Sequence, residues 1–245
     1  DTAFSEDQMK VGRKLATKLL NATKFVLGAG DVSADVVPTE PLDVAMLQRL
    51  SVVINDATTA FETFDYARAL ERTESFFWWF CDDYLELVKM RAYGTTDISA
   101  SARAALQRAL SVMQRLFAPH IPFATEEVWS WWKQNSIHLA QWPTVGEITG
   151  DTKHIDAFEM MLDSACNVIG VIRRTKTEAK LSQRAEVEYT SVSATDTQIA
   201  LLKECIGDLQ NAGVVPSIEF VSHTAGDSVA HIVTTVRLAP VVDAK

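Results

Sequence analysis

The chain has few of the residues that build covalently braced folds. Of its 245 residues only three are cysteine, Cys81, Cys166 and Cys205, and none of them belongs to a C-x-x-C pair. An odd number of widely spaced cysteines argues against a disulfide framework and against a zinc site. Free thiols are typical of a reducing compartment, so we expect a cytoplasmic protein.

Glycine, proline and long apolar runs are also scarce. There are 10 glycines and 7 prolines, whereas Ala, Leu, Glu, Lys and Gln are plentiful over the first two thirds of the chain, which favours helix over sheet. No apolar stretch approaches the roughly 18 residues that span a bilayer, and the first residues are polar and acidic, unlike a secretory signal. The sequence therefore predicts a mainly helical protein with no membrane partner.

The chain has no excess of positive charge. Its 23 basic and 32 acidic residues give a formal net charge of -9. Because phosphates are bound chiefly by Lys and Arg, this balance excludes a protein whose whole surface attracts nucleic acid. Any RNA contact must be local.

Catalytic and metal-binding motifs are missing as well. There is no phosphate loop, no H-E-x-x-H and no G-x-S-x-G, and Gly28-Ala29-Gly30 lacks the third glycine of a dinucleotide fingerprint. The five histidines never fall at metal-ligand spacing on one helix. Asp82, Asp83 and Glu86 could form a carboxylate pair, but a solvated helix face is the simpler interpretation. We therefore predict no catalytic residue, no metal and no cofactor in this chain.

What the sequence does contain is strong helical periodicity. Apolar residues recur at helical spacing in four long segments, approximately 5–27, 41–65, 66–93 and 95–118. A short helix opened by Thr125 should carry Trp129, Trp131 and Trp132 into the core, and the aromatic run 76–80 should be buried too. Four long helices with short connections predict an antiparallel bundle.

The last third of the chain has a different pattern. A polar stretch up to residue 153 marks a domain boundary, and a helix over 154–180 follows it. Strands over 185–192, 217–222 and 229–236, with a helix over 195–211, predict a small α+β subdomain. We expect a helical-bundle domain over 1–150, and a long helix with the α+β subdomain over 151–245.

Two basic stripes stand out against the acidic composition. Between residues 8 and 30 the sequence has five cations and no acid, and Lys18, Asn21 and Lys24 can share one edge of a helix that ends beside Phe25. A cation next to an exposed ring can hold an unstacked base. The second stripe has one acid, Glu178, among its cations Arg173, Arg174, Lys176, Lys180 and Arg184. For either stripe alone, a solvated helix face is the commoner explanation.

Four motifs in order carry a family resemblance. They are V-G-R-K-L-A-T-K-L-L-N-A-T-K-F (11–25), F-C-D-D-Y-L-E-L-V-K (80–89), A-P-H-I-P-F-A-T-E-E-V-W (118–129) and S-I-H-L-A-Q-W-P (136–143). Together they resemble the C-terminal, anticodon-binding part of class I valyl-tRNA synthetase. Leu20 departs from the bulkier aromatic residue that the family commonly has there.

The resemblance implies a tRNA-binding part of a larger enzyme. That parent would attach valine to tRNA(Val) using ATP, and we expect it to be a monomer. The class I signatures H-I-G-H and K-M-S-K-S occur nowhere in the chain, so this piece is expected to be non-catalytic. The coiled-coil arm that usually ends the family is likewise not found.

The resemblance and the bundle topology together give a site hypothesis. In an up-and-down bundle, the end of the first helix meets the end of the third and the start of the fourth at one pole. We expect Lys18, Lys24 and Arg91 to hold phosphates or base edges, Asn21 to bond a base, and Phe25 to stack on one. The full set of predicted tRNA-binding residues is Lys18, Asn21, Lys24, Phe25, Arg91, Arg103, Arg173 and Arg174.

Two alternatives remain open from the sequence. The first is an anticodon-binding fragment of another class I synthetase, such as the isoleucyl enzyme. The second is a helical interaction module that binds no RNA and whose basic edges are merely solvated. RNA binding through several phosphates weakens steeply with salt, whereas protein docking need not, so salt dependence distinguishes the two.

Overall fold

The computed structural model describes residues 5–148, 155–222 and 232–239, and this part of the chain is mostly helical with one small sheet. The helices are α1 (Glu6–Gly28), α2 (Pro41–Glu62), α3 (Tyr66–Trp79), α4 (Leu85–Ala92), α5 (Asp97–Phe117), α6 (Pro122–Ser130), α7 (Ile155–Glu178), α8 (Asp196–Glu204) and α9 (Ile206–Gly213). The strands are β1 (Val187–Ala194), β2 (Ile218–Ser222) and β3 (Val233–Leu238). A π-helix, Phe80–Tyr84, joins α3 to α4, and 3-10 turns lie at Ile137–Leu139 and Val145–Glu147.

Local sequence signals explain where the long helices begin and end. Gly30, with a φ of 107°, follows α1 in a conformation that only glycine adopts easily. Pro41 opens α2, since the first helical position needs no backbone donor. Between α4 and α5, a side chain at Gly94 would collide with the Ser99 hydroxyl. The four predicted long helical segments are thereby confirmed.

The third segment differs from the single regular helix that its periodicity predicts. Its central turn is a π-helix, which accommodates an extra residue and so rotates the turns that follow. Phe80, Cys81 and Tyr84 of this turn are all buried. The irregular turn thereby adds three side chains to the hydrophobic interior.

The described residues pack as two compact units. The first unit contains 5–38, 47–78 and 100–148. Here α1 packs against α6. The Phe77 and Phe117 rings meet edge to face at 5.4 Å, so the phenylalanines of the aromatic run lie in the core as predicted, whereas Trp78 and Trp79 are only half-buried. A buried polar link runs through the same unit, since the Gln114 amide donates to Thr23 Oγ1 at 3.1 Å.

The second unit contains 39–46, 79–99 and the described residues from 155 onward. Its sheet has the order β2-β1-β3, with β2 parallel and β3 antiparallel to β1. Within this unit α7 packs against α8 and β3, and α4 packs against α9. The sheet confirms the predicted strands over the residues that the structure describes, although 229–231 lie outside them.

Three details of the sequence prediction need correction. The helix expected over 195–211 is two helices, α8 and α9, separated at Cys205, where φ is -108° and ψ is 21°. The short aromatic helix begins at Pro122 rather than Thr125 and ends at Ser130, before two of its three tryptophans. Trp131 is consequently 36% exposed instead of buried.

The expected domain division at residue 150 stays a prediction, and 149–154 lie outside the described residues. No helix in the described part of the chain is long and apolar enough to cross a bilayer.

Candidate nucleic-acid interface

The exposed face of α1 is defined by the residues that α1 buries. Leu15, Leu19, Ala22 and Val26, spaced by three and four positions, point into the first unit. Asn21, on the opposite side of the helix, is exposed. The basic segment of α1 therefore lies along a solvent-facing helix surface.

Lys18 lies at one flank of this face, against a tryptophan of α3. Its Nζ is 5.5 Å from the centre of the Trp78 ring, within the range of a cation–π contact. The Trp78 indole N–H in turn donates to Glu74 Oε1 at 3.0 Å, which fixes the ring. The ammonium group is thus held by an oriented aromatic surface.

Lys24 makes the same kind of contact with Trp131, the residue that follows α6. Its Nζ is 5.9 Å from the Trp131 ring, and the Trp131 indole donates to Glu127 Oε1 at 3.0 Å. Six residues correspond to about 600°, so Lys24 lies about 120° around the helix from Lys18, with Asn21 midway between them. The two lysine–tryptophan pairs therefore flank Asn21.

This geometry suits single-stranded RNA. Two ammonium groups can bind phosphates or base edges, an exposed amide can both donate and accept, and the partly exposed Trp131 ring can stack on a base. Glu74 and Glu127 limit the local positive charge. The face should therefore favour specific hydrogen bonds and stacking over general electrostatic attraction to polyanions.

Phe25 and Arg103 belong to the same unit. Phe25 is half-buried, so only part of its ring is available for stacking. Arg103 is half-buried on α5, and a Cβ at Gly30, just beyond α1, would lie 3.8 Å from Arg103 Cδ. The structure thus places Arg103 close to the end of α1.

Arg91 has a different environment, in the second unit. It is 9% exposed, and its Nη1 and Nη2 each donate to Asp43 at 2.9 Å. Its Nε donates to Asp208 at 3.0 Å, and Nη1 also donates to the Ile98 carbonyl. Every guanidinium nitrogen is occupied, which gives Arg91 a structural role, because an RNA contact would require this network to open.

The pKa shifts of this network follow from burial. Desolvation raises the pKa of Asp208 to about 6, although the neighbouring Arg91 acts to lower it. Desolvation by itself would lower the pKa of Arg91, but Asp43 and Asp208 raise it above its ordinary value. Tyr84, whose hydroxyl donates to Asp43 at 2.8 Å, has its pKa raised by burial and by that carboxylate.

The second basic stripe is not a continuous surface. Arg174 is exposed on α7, whereas Arg173 is half-buried and donates to the Asp82 carbonyl. Lys176, expected within the stripe, is buried with its Nζ bonded to the carbonyls of Gly213 at 2.6 Å and Gln183 at 3.1 Å. Burial lowers the pKa of Lys176. Lys176 therefore has a structural role, since it connects α7 to the backbone at Gln183 and Gly213 and is not part of the exposed stripe.

Sequence reasoning missed Trp78 and Trp131 as parts of this surface. Both were assigned to the core because they belong to dense aromatic runs, and nothing in their local pattern pairs them with α1. Among the described residues, no group of three or more His, Cys, Asp or Glu side chains could hold a metal ion.

Comparison with known proteins adds two findings. Residues 43–191 match the model of a family described as the anticodon-binding domain of tRNA ligase. A valine–tRNA ligase of Thermobifida fusca (strain YX) is 50% identical over 244 residues, which covers 98% of this chain and 27% of that relative. Valine–tRNA ligases of Salinispora arenicola (strain CNS-205) and Leifsonia xyli subsp. xyli (strain CTCB07) are 48% and 46% identical, covering 89% and 96% of this chain.

The extent of these matches bears on the site. The chain spans about a quarter of the length of the relatives, with 27% or 28% of each covered. Helix α1 precedes the family-model match but falls within the similarity to the Thermobifida protein, which covers 98% of this chain.

Proposed function

This chain belongs to the family of anticodon-binding domains of tRNA ligases, and we propose that its first unit holds the anticodon loop of a tRNA on the exposed face of α1. One observation carries the assignment of the surface. In a chain of net charge -9, the α1 lysines Lys18 and Lys24 are each seated on a tryptophan ring on either side of the exposed Asn21. A loop with unstacked bases is the nucleic acid that such a surface fits.

Each side chain has a distinct proposed role. Lys18 and Lys24 bind phosphates or base edges, while Asn21 hydrogen-bonds a base. Trp131 and the accessible part of Phe25 provide stacking surface, a role that the sequence assigned to Phe25 alone. Arg103, at the end of α1, supplies a further cation, and Arg91 stays in its buried network.

A second contact region is proposed on α7. Arg174 is exposed there, with Arg173 next to it. Both can reach phosphates outside the anticodon loop, and neither requires the buried Lys176 to move. Their contribution should be electrostatic, without base specificity.

The larger protein is proposed to be a valine–tRNA ligase that attaches valine to tRNA(Val) using ATP. The named activity of the quoted relatives supports valine over the isoleucyl alternative. In this proposal residues 1–150 form an antiparallel helical-bundle domain, 151–245 form a long helix with the α+β subdomain, and the parent works as a cytoplasmic monomer.

The proposal is tested by charge-neutral variants of the two lysines. In K18Q/K24Q we expect the affinity of this chain for a tRNA(Val) transcript to fall by about tenfold or more, because two charged contacts are lost. Fluorescence anisotropy with labelled tRNA measures the change. The matched control is K203Q, since Lys203 also lies over an aromatic ring, Phe220 at 5.8 Å, but in the second unit.

A second experiment measures how binding depends on the anticodon bases. Replacing the anticodon bases of the transcript should weaken binding to the natural chain and make little difference to N21A. Equal binding of both transcripts by the natural chain, or an unchanged affinity in K18Q/K24Q, would refute the assignment of this face.

A further inference from the structure

A second concave surface in the first unit carries positive charge. It is a cleft of about 230 Å³ bordered by Arg108 and Arg115 of α5, by Trp132 and Lys133 after α6, and by Glu147. Since a water molecule occupies about 30 Å³ in the liquid, the cleft has room for a phosphate group with some of its water. Three cations against one carboxylate make it unusual in an acidic chain.

Two of the cations lack a carboxylate partner among the described residues. Arg108 donates through Nη2 to the Val36 carbonyl at 2.9 Å, which leaves most of its guanidinium available. The Lys133 Nζ lies 4.2 Å from the centre of the Trp132 ring and forms no ion pair within the described ranges. An anion entering the cleft would meet both charges without displacing an existing ion pair.

The third cation is already paired with an internal anion. Arg115 Nη2 donates to Glu147 Oε2 at 2.6 Å, and Nη1 donates to Oε1 at 3.3 Å. Burial acts against ionisation of Glu147, but hydrogen bonds from Arg115 and Thr144 lower its pKa. The carboxylate therefore stays charged at neutral pH and competes for Arg115 with any entering anion.

The cleft is connected to the candidate RNA surface through one short segment. Trp131, which lies against Lys24, is followed directly by Trp132 and Lys133. The Trp132 ring is fixed by its indole N–H, which donates to Gln114 Oε1 at 3.1 Å. Gln114 bonds Thr23 of α1 in turn, so the cleft wall and α1 are held together within the unit.

We propose that this cleft binds a backbone phosphate of the RNA held on α1, with Arg108 and Lys133 as its ligands and Glu147 as an internal competitor at Arg115. The inference rests on the proposed function, because it requires RNA on the neighbouring face. It adds a phosphate site that the sequence did not indicate. Arg108 and Lys133 lie outside both predicted basic stripes.

Variants that remove positive charge from the cleft and a variant that removes its negative charge should change the affinity for RNA in opposite directions. R108Q/K133Q should bind tRNA(Val) about tenfold more weakly, with the slope of log affinity against log salt reduced by about one. E147Q should bind several-fold more tightly, because it releases Arg115 and removes a negative charge. K203Q is the control, and circular dichroism with thermal unfolding checks the fold of each variant.

The outcomes separate this inference from the proposed function. If K18Q/K24Q binds weakly while R108Q/K133Q and E147Q match the natural chain, the cleft proposal is wrong and the α1 assignment stands. If none of the three changes affinity, both fail. Should R108Q/K133Q not fold, the exposed single variant K133Q carries the test, with an expected loss of about threefold.

Free inorganic phosphate is an alternative ligand for the same cleft. Tryptophan fluorescence of the chain is titrated with inorganic phosphate, and the proposal expects only weak, millimolar binding that R108Q/K133Q abolishes. Tight phosphate binding together with unchanged tRNA affinity in R108Q/K133Q would assign the cleft to a free anion and overturn the RNA proposal.

Discussion

The buried charges around Arg91 show how single residues are constrained in this protein. Asp43 and Tyr84 are fully buried, and the Arg91 and Asp208 side chains are 6% and 12% exposed. A buried ion pair is stable only when hydrogen bonds replace the lost water, and here Arg91 donates to both carboxylates and to a carbonyl. The network joins α2, α4 and α9 through side-chain hydrogen bonds, in addition to the packing of α4 against α9.

Asp208 gives this network a pH dependence whose sign is set by burial. Its pKa is raised from 3.8 to about 6 in the folded protein, so folding favours the protonated form. The stability that Asp208 contributes is therefore full below about pH 4 and is lost as the pH rises through 6. Since D208N does not titrate there, its stability relative to the natural chain should rise by up to about 3 kcal/mol between pH 4 and 7.

Urea unfolding of both chains at several pH values measures this difference. Glu147 provides a control of opposite sign, because its pKa is lowered and its contribution is lost as the pH falls. The free energy of unfolding of E147Q relative to the natural chain should thus fall as the pH rises. A D208N difference that stays constant with pH would show that attraction to Arg91 outweighs the cost of burial.

The exposure of individual residues was predictable where one helix carries all the information. The basic edge of α1 and the exposure of Asn21 follow from helical spacing alone. The partners of Lys18 and Lys24 do not, since Trp78 and Trp131 reach α1 only through tertiary packing. Arg91 was assigned to RNA because a sequence shows its charge but not the carboxylates that enclose it.

At the scale of elements, strand β1 contains a buried hydroxyl group that forms no hydrogen bond within the described part of the chain. The Thr190 side chain is 1% exposed, and its hydroxyl has no hydrogen-bond partner among the described residues. In the strand pairing, Thr190 is opposite Val236 of β3 and Ile218 of β2. An apolar side chain of the same shape would suit this position better.

Replacing this hydroxyl with a methyl group should stabilise the fold. T190V is expected to raise the free energy of unfolding by about 1 kcal/mol, because it removes an unsatisfied buried group and keeps the β-branched shape. Urea unfolding measures the change. T235V, at an exposed position of β3, is the control and should stay within about 0.5 kcal/mol of the natural chain. A less stable T190V would mean that water satisfies the hydroxyl.

The existence of most elements could be read from periodicity, whereas their irregularities could not. Each of α1, α2 and α5 repeats its apolar positions over several turns, which makes a helix evident. The π-helix at 80–84 and the break at Cys205 depend on which side chains must reach the interior. Both irregularities lie in stretches without proline, the strongest helix breaker, so the sequence marks no obvious interruption there.

For the whole molecule, the acidic net charge predicts selective rather than general RNA binding. A chain of net charge -9 repels a polyanion at long range, so binding must come from a few local contacts. With about four to six cations engaged and about 0.7 counterions released per contact on a single strand, the slope of log affinity against log salt should be about -3 to -4. Basic RNA-binding proteins with many more contacts have steeper slopes.

The acidic chain should also bind an unstructured polyanion poorly. At low salt, poly(U) should bind this chain at least about tenfold more weakly than a tRNA(Val) transcript, because it cannot present a loop and a neighbouring backbone phosphate in fixed geometry. Anisotropy titrations from 50 to 300 mM salt with both RNAs measure the affinities and slopes. Equal affinities, or a tRNA slope steeper than about -6, would mean that charge rather than shape governs binding. K203Q, which removes a cation that is assigned no RNA contact, should leave both slopes unchanged, whereas K18Q/K24Q should flatten the tRNA slope by about one to two.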